Sequence, residues 1–148
     1  MKQGGFSLIE LMIVIAIIAC LSMLTVPGLM KFLAKAKRAE AYIHLQSLAN
    51  AQKLYFAEHG TYTKNLLGPD GLGWKPEGVV NYSYGFSDGA KSHVIGQLKT
   101  PASALSGASL SKEGFTICAA GTIYGEKPDV LSIDQNNVIK IVSDALMN

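Results

Sequence analysis

The sequence predicts an α+β protein in which one long N-terminal helix packs on an antiparallel sheet of about four strands. Three observations carry that expectation. The uncharged run 11–30 continues in helix-forming composition to about His59. From Val80 onward the apolar period drops to two, the period of a strand. Between these regions lies a Gly- and Pro-rich connection, Gly60 to Gly78.

The first half of the helix is an apolar rod. Residues 11–30 carry no charge, and at about 1.5 Å per residue they make ~30 Å of helix, enough to cross a bilayer core. Glu10 stands at the margin of this run. A carboxylate there costs about 2.5 kcal/mol or more if it sits deep, so it calls for a charge partner. Pro27 removes a backbone donor and Gly28 weakens the helix further, so a kink or local melting is expected at that pair.

The second half of the helix is amphipathic. Ala41, Leu45, Leu48 and Tyr55 fall on one face. Lys37, Arg38, Glu40, Gln46 and Lys53 fall largely off that stripe. His59 suits the last turn and Gly60 supplies the stop. The second half therefore packs on a soluble domain, while the first half needs lipid or other copies of itself.

In the connection, Trp74 either pins the loop to the core or is an exposed contact. Beyond it, Val80, Tyr82, Tyr84 and Phe86 alternate with Asn81, Ser83 and Gly85 and read as a half-buried strand. His93–Leu98 is a second candidate. Phe115–Ile123 is a third, mostly apolar and therefore central. Val130–Ile133 and Val138–Val142 flank Asp134-Gln135-Asn136-Asn137, whose residue types suit a turn. Pro101–Glu113 reads as a small-residue loop with room for one helical turn. No internal repeat is present.

Composition narrows the function classes. A chain of 148 residues accommodates one membrane-spanning element and one domain of ~100 residues. The net charge of +2 is too small to argue for nucleic-acid binding by the whole chain, although surface Lys and aromatic residues allow such contact. His44, His59 and His93 have no carboxylate or Cys partner at a motif spacing. Ser106-Gly107-Ala108-Ser109 lacks the strand–turn–helix frame of a nucleophile elbow. Gly68–Gly73 lacks the strand and helix that a phosphate cradle needs. No catalytic residue, cofactor or metal is expected, and the chain does not read as an enzyme.

Three processing schemes compete at the N-terminus. A secretory signal would use Lys2 and the apolar run, but the run is long, Glu10 interrupts it, and no clean small-x-small cleavage site follows. A lipoprotein signal would use Cys20, with Ile17-Ile18-Ala19 a loose match before it. The third scheme cuts before the apolar run. Gly5-Phe6-Ser7-Leu8-Ile9-Glu10-Leu11-Met12 resembles the processing motif of type IV pilins and the related pseudopilins of type II secretion.

The resemblance carries several implications. Residues 1–5 would be a leader cut after Gly5 by a prepilin peptidase, which also N-methylates the new terminal Phe6. Glu10 would pair with the new α-amine of a neighbouring subunit and set its register. Residues 6–30 would be the membrane-spanning and filament-core helix, 31–59 its amphipathic continuation, and 60–148 the β-sheet head. Pro27 falls where family members often carry a helix-kinking proline. Ala51-Gln52-Lys53, Tyr55–Tyr62 and Leu131-Ser132-Ile133-Asp134 look like pilin segments, as softer matches.

Lys31, Lys35, Lys37 and Arg38 follow the apolar run while only Lys2 precedes it, so the positive-inside rule alone would place the head in the cytoplasm. The resemblance implies the reverse: leader inside, head in the periplasm, then an extracellular pilus. It implies a homopolymer as the product, with the peptidase, an inner-membrane assembly platform and a motor ATPase as partners. The alternative is the major pseudopilin of a type II secretion system. Some pseudopilins bind calcium near the positions of Glu126, Asp129 and Asp134, but no dense acidic loop is present here. Cys20 and Cys118 cannot meet within one subunit if the first spans a membrane, so no disulfide is expected.

Overall fold

The computed structural model describes residues 5–147. A single helix α1 runs Leu8–His59. Six strands follow: β1 Ser83–Gly85, β2 His93–Val94, β3 Ser109–Leu110, β4 Phe115–Gly121, β5 Asp129–Asp134 and β6 Ile139–Ser143. A 3-10 turn, Ala102–Leu105, precedes β3. The chain divides into two compact units, Met1–Leu33 and Ala34–Asn148.

In the first unit every described side chain is exposed, from Gly5 to Leu33. By length and apolar composition this helix can cross a membrane. Its few hydroxyls turn back on the helix: Ser22 Oγ donates to the Ile18 carbonyl at 2.8 Å and Thr25 Oγ1 to that of Leu21 at 3.2 Å. That removes polar groups from an apolar environment. The backbone stays helical through Pro27 and Gly28, so the local melting considered at this pair does not occur in the structure.

The second unit is built around the buried stripe of α1. Ala41, Leu45 and Leu48 are fully buried, joined by Ala49, against Tyr82, Tyr84, Phe86, Ile117 and Leu131. Each large apolar side chain among these contributes about 1.5–3 kcal/mol on burial. Tyr55 lies only half in this stripe, its ring stacked on His59. The helix ends where expected, with Gly60 at φ +69 donating its N–H to the Phe56 carbonyl at 2.8 Å.

The sheet is antiparallel in the order β2-β1-β4-β5-β6, with β3 paired to β4. Of the six, β3 alone lies outside the expected strands, in the segment Pro101–Glu113 read as a loop; it and β2 are two residues long. β4 is central and buried on both faces. Ile117 and Ala119 belong to the helix-side core, while Cys118 and Ala120 pack with Leu105 of the 3-10 turn on the other side. Gly121 lets the Tyr82 ring approach, since a Cβ there would lie 2.9 Å from it.

The structure corrects two strands. The alternation over Val80–Phe86 predicts a half-buried strand, yet β1 is three residues long and Tyr82 through Phe86 are all buried. Its second face is covered by the connection after β2: Ser83 Oγ donates to the Thr100 carbonyl at 2.7 Å. His93–Leu98 shrinks to His93–Val94 because Gly96–Lys99 closes a turn, with the Lys99 N–H donating to the Gly96 carbonyl at 2.9 Å. The Asp134–Asn137 turn forms as predicted. Asp134 Oδ1 accepts the N–H groups of Asn136 and Val138, and Asn137 takes φ 61.

Helical polar residues stitch the connection to α1. Gln52 clamps the Thr63 backbone, donating to its carbonyl at 2.5 Å and accepting its N–H at 3.3 Å. Ser47 Oγ accepts the Trp74 indole N–H at 3.2 Å, so Trp74 pins the loop to the core. Glu40 accepts the Asn81 N–H at 2.8 Å and also bonds its side-chain amide.

Arg38 makes the strongest polar link. Its side chain is only 12% exposed, and it pairs with Asp129, whose side chain is 0% exposed, and with Asp144. Arg38 Nε donates to Asp129 Oδ2 at 2.9 Å. The same carboxylate accepts the Tyr82 hydroxyl at 2.7 Å and the Ala145 N–H at 3.1 Å. Burial opposes the charge of Arg38, but the hydrogen bonds to Asp144 and Asp129 outweigh it and its pKa is raised.

Two neighbouring tyrosines make a test of this network. The Tyr84 hydroxyl is buried with no protein partner among the described residues, whereas that of Tyr82 serves Asp129. Tyr82→Phe should destabilise the head by about 1–3 kcal/mol, and Tyr84→Phe should be neutral or stabilising. Urea unfolding of the full chain in detergent measures both; equal losses would refute the assignment.

The same groups set the pH range of stability. Arg38 and the Leu146 N–H hold the Asp144 carboxyl below the usual carboxylate range. Its contribution is present above the unfolded value of about 4 and is lost as pH falls through the depressed one. Burial pushes up Tyr82, aided by Asp129, and Tyr84, aided by the Glu40 charge. Unfolded tyrosines ionise near about pH 10 while these do not, so stability also falls above that pH. Unfolding midpoints should form a plateau bounded on both sides.

Candidate functional site

The helix start explains the position of Glu10. Ser7 precedes the first helical residue, Leu8. Its Oγ accepts the Glu10 N–H at 3.3 Å, and its carbonyl accepts the Leu11 N–H at 3.3 Å. Glu10 reaches back. Its Oε2 accepts the Ser7 N–H at 3.0 Å and the Ser7 hydroxyl at 2.9 Å. Ser7-Leu8-Ile9-Glu10 is thus a reciprocal capping box, which satisfies orphan amides at the helix N-terminus and places a negative charge at its positive end. The Ser-x-x-Glu spacing before an apolar run is the sequence signal for it, and it points to Ser7, which the charge of Glu10 alone does not.

The cap leaves half of the carboxylate open. Both intrachain bonds fall on Oε2, and among the described residues Oε1 has no hydrogen bond. Glu10 can therefore keep its cap and still accept a cation. Phe6 is 86% exposed just ahead of the helix. A Cβ built on Gly5 would meet nothing within 4 Å. Among the described residues, nothing in the fold itself calls for glycine there. Gly28 is likewise open to its surroundings. Of the expected leader, Met1–Gly4 lie outside the described residues.

The other residue groups weighed from sequence do not assemble into sites. Asp129 and Asp134 stand at opposite ends of β5, ~17 Å apart at strand rise, and Asp129 is engaged by Arg38. Among the described residues, no three His, Cys, Asp or Glu side chains gather in a metal-binding group. His44 lies at the core edge, its ring against Trp74 and Tyr84. Both cysteines are free, and burial pushes the Cys118 thiol up to about 11, away from reactivity.

Comparison with known proteins places this terminus. A family model described as the prokaryotic N-terminal methylation motif matches residues 1–26. The type IV major pilin protein PilA of Myxococcus xanthus is 35% identical over 130 residues, covering 87% of this chain and 58% of that protein. The type II secretion system core protein G of Aeromonas hydrophila is 37% identical over 75 residues, 51% of this chain and 52% of that protein. A type IV major pilin protein PilE of Neisseria gonorrhoeae is 38% identical over 63 residues, 43% of this chain and 38% of that protein. The chain spans less than two thirds of the length of each. The resemblance read from Gly5, Phe6 and Glu10 therefore stands, and the helix-and-sheet architecture is pilin-like.

Ser7→Ala removes the cap and should weaken the first turn by about 1 kcal/mol. Amide hydrogen exchange in detergent should quicken at residues 8–11 and stay unchanged in the head. Unchanged exchange at the first turn would refute the capping box.

Proposed function

We propose that this chain is the structural subunit of a type IV pilus. In this reading a prepilin peptidase cuts after Gly5 and methylates Phe6. The head faces the periplasm while the leader faces the cytoplasm, and an inner-membrane platform with a motor ATPase extracts the subunit into a surface fibre. The extracted apolar segments become the fibre core. The Pro27–Gly28 pair is the place where this helix bends or adapts on packing.

One observation carries the reading. An N-terminal methylation motif sits at the capped start of an apolar helix whose described residues up to Leu33 are all exposed. Lipid contact can be exchanged for contact with other copies at small net cost, because both environments are apolar. Register then falls to the one charged group, the open Oε1 of Glu10, and to the α-amine that cleavage creates on Phe6. Open space around Gly28 fits close approach by a neighbouring helix.

A second reading is the core subunit of a type II secretion system, favoured by the likeness to core protein G over half the chain. Electron microscopy of sheared surface fibres separates the two. Long fibres that contain this chain support the pilus, and their absence supports the secretion fibre. Mass spectrometry of the mature N-terminus tests processing: a chain beginning at methylated Phe6 is expected, and an intact Met1 or a start at Cys20 would overturn both readings.

Glu10→Val should leave membrane insertion and cleavage intact and strongly reduce fibre yield. Wild-type yield from this variant would remove the charge-pairing account.

A further inference from the structure

The head carries an unbalanced charge at each end of its helix. At the C-terminal end a cleft of about 450 Å³ lies between α1 and the loop 69–72. Leu54, Tyr55 and Leu72 give it apolar walls, Glu58 and Asp70 line it with carboxylates, and the His59 ring, stacked on Tyr55, lines it as well. Both acids are exposed, and neither makes an ion pair among the described residues. Glu58 is also unfavourably placed for its own helix, because the C-terminal turn already carries about half a negative charge from the backbone dipole. Two carboxylates and a dipole end of the same sign thus converge on one cleft with apolar walls. That combination suits a long cationic side chain, its stem on Leu54 and Leu72 and its head between the acids.

The other end of the head supplies such a side chain. Lys35 is exposed and has no ion pair among the described residues, in contrast to Arg38 one turn on. Lys35 lies 23 residues before Glu58, or ~35 Å along a helix. The outward face between them is weakly polar and exposes Ile43 and Leu54, 68% and 63% accessible. Residues 43 and 54 are three helical turns apart on that one face.

We propose that the cleft of one subunit receives Lys35 of a second copy of this chain, displaced by about 35 Å along the fibre. This rests on the filament reading above. Copies that share one orientation present the basic end of one head to the acidic end of another. The contact is head-to-tail, and a contact of that kind propagates rather than closing as a dimer. Opposite charges then set the axial offset, and the exposed apolar face between them is covered by the same neighbours.

Cysteine cross-linking in assembled fibres tests the contact. The Lys35→Cys, Asp70→Cys double variant, oxidised after shearing, should give a ladder of covalent oligomers, because each subunit offers one partner at either end. With the exposed native thiol removed by Cys20→Ala throughout, each single variant should give none. A charge exchange gives a second readout: Asp70→Lys should lower fibre yield, and adding Lys35→Asp should restore it. Wild-type fibres whose double-cysteine variant yields no ladder, or whose charge exchange is not restorative, overturn the contact alone. A wild-type chain that enters no fibre overturns the filament reading and the contact with it. Both substitutions are at exposed positions, so the head should keep its unfolding midpoint, which serves as the folding control.

Discussion

An apolar helix without a cover of its own is the constraint around which this protein is organised. The described residues up to Leu33 bury none of their side chains in the chain itself. Such a segment cannot stand in water, since each large apolar side chain left wet forgoes about 1.5–3 kcal/mol. Its backbone is satisfied internally and its hydroxyls are folded back, so lipid is an acceptable solvent. Other copies of the same helix are another. A protein with two acceptable environments for one segment can be stored in the first and assembled in the second.

The head is held by a different physics. Its core is an ordinary apolar layer between helix and sheet, but its geometry depends on polar ties between distant parts of the chain. Arg38 joins the helix to β5 and to the C-terminal segment, and Tyr82 completes the same carboxylate. Gln52, Ser47 and Glu40 fasten the long connection at three points along the helix. A buried pair of this sort adds little over a well-packed apolar core, yet breaking it by removing one partner costs about 3–5 kcal/mol. It therefore favours one arrangement of helix, sheet and C-terminus over near alternatives. The free energy of the head is mainly apolar, and its uniqueness is partly polar.

How much was legible in the residues depended on the range of the interaction. The helix end at His59, the turn at Asp134–Asn137 and the centrality of β4 follow from local chemistry: a glycine free to take positive φ, a side chain that bonds its own backbone, a run apolar on both faces. The capping box was equally local and could have been read from Ser7 and Glu10. The true extents of β1 and β2 could not, because they depend on what covers Ser83 and where Gly96 turns. Arg38 looked like one more surface cation in a basic cluster, since nothing near it in sequence announces an acid 91 positions away.

The amino-acid sequence by itself determined the division of labour: an apolar segment with one carboxylate at its edge, a motif of glycine, aromatic and acid before it, and an amphipathic helix leading to strands. These are matters of composition and short spacing, and short spacing is preserved whatever the chain does elsewhere. Only the tertiary structure decided which charges are satisfied within the subunit and which are left over. Arg38 and Asp129 disappear into the head, while Lys35, Glu58 and the open oxygen of Glu10 remain. The reason is geometric: whether a charge is paired depends on which residues the fold brings within about 4 Å, and that distance is set by packing between elements far apart in the chain.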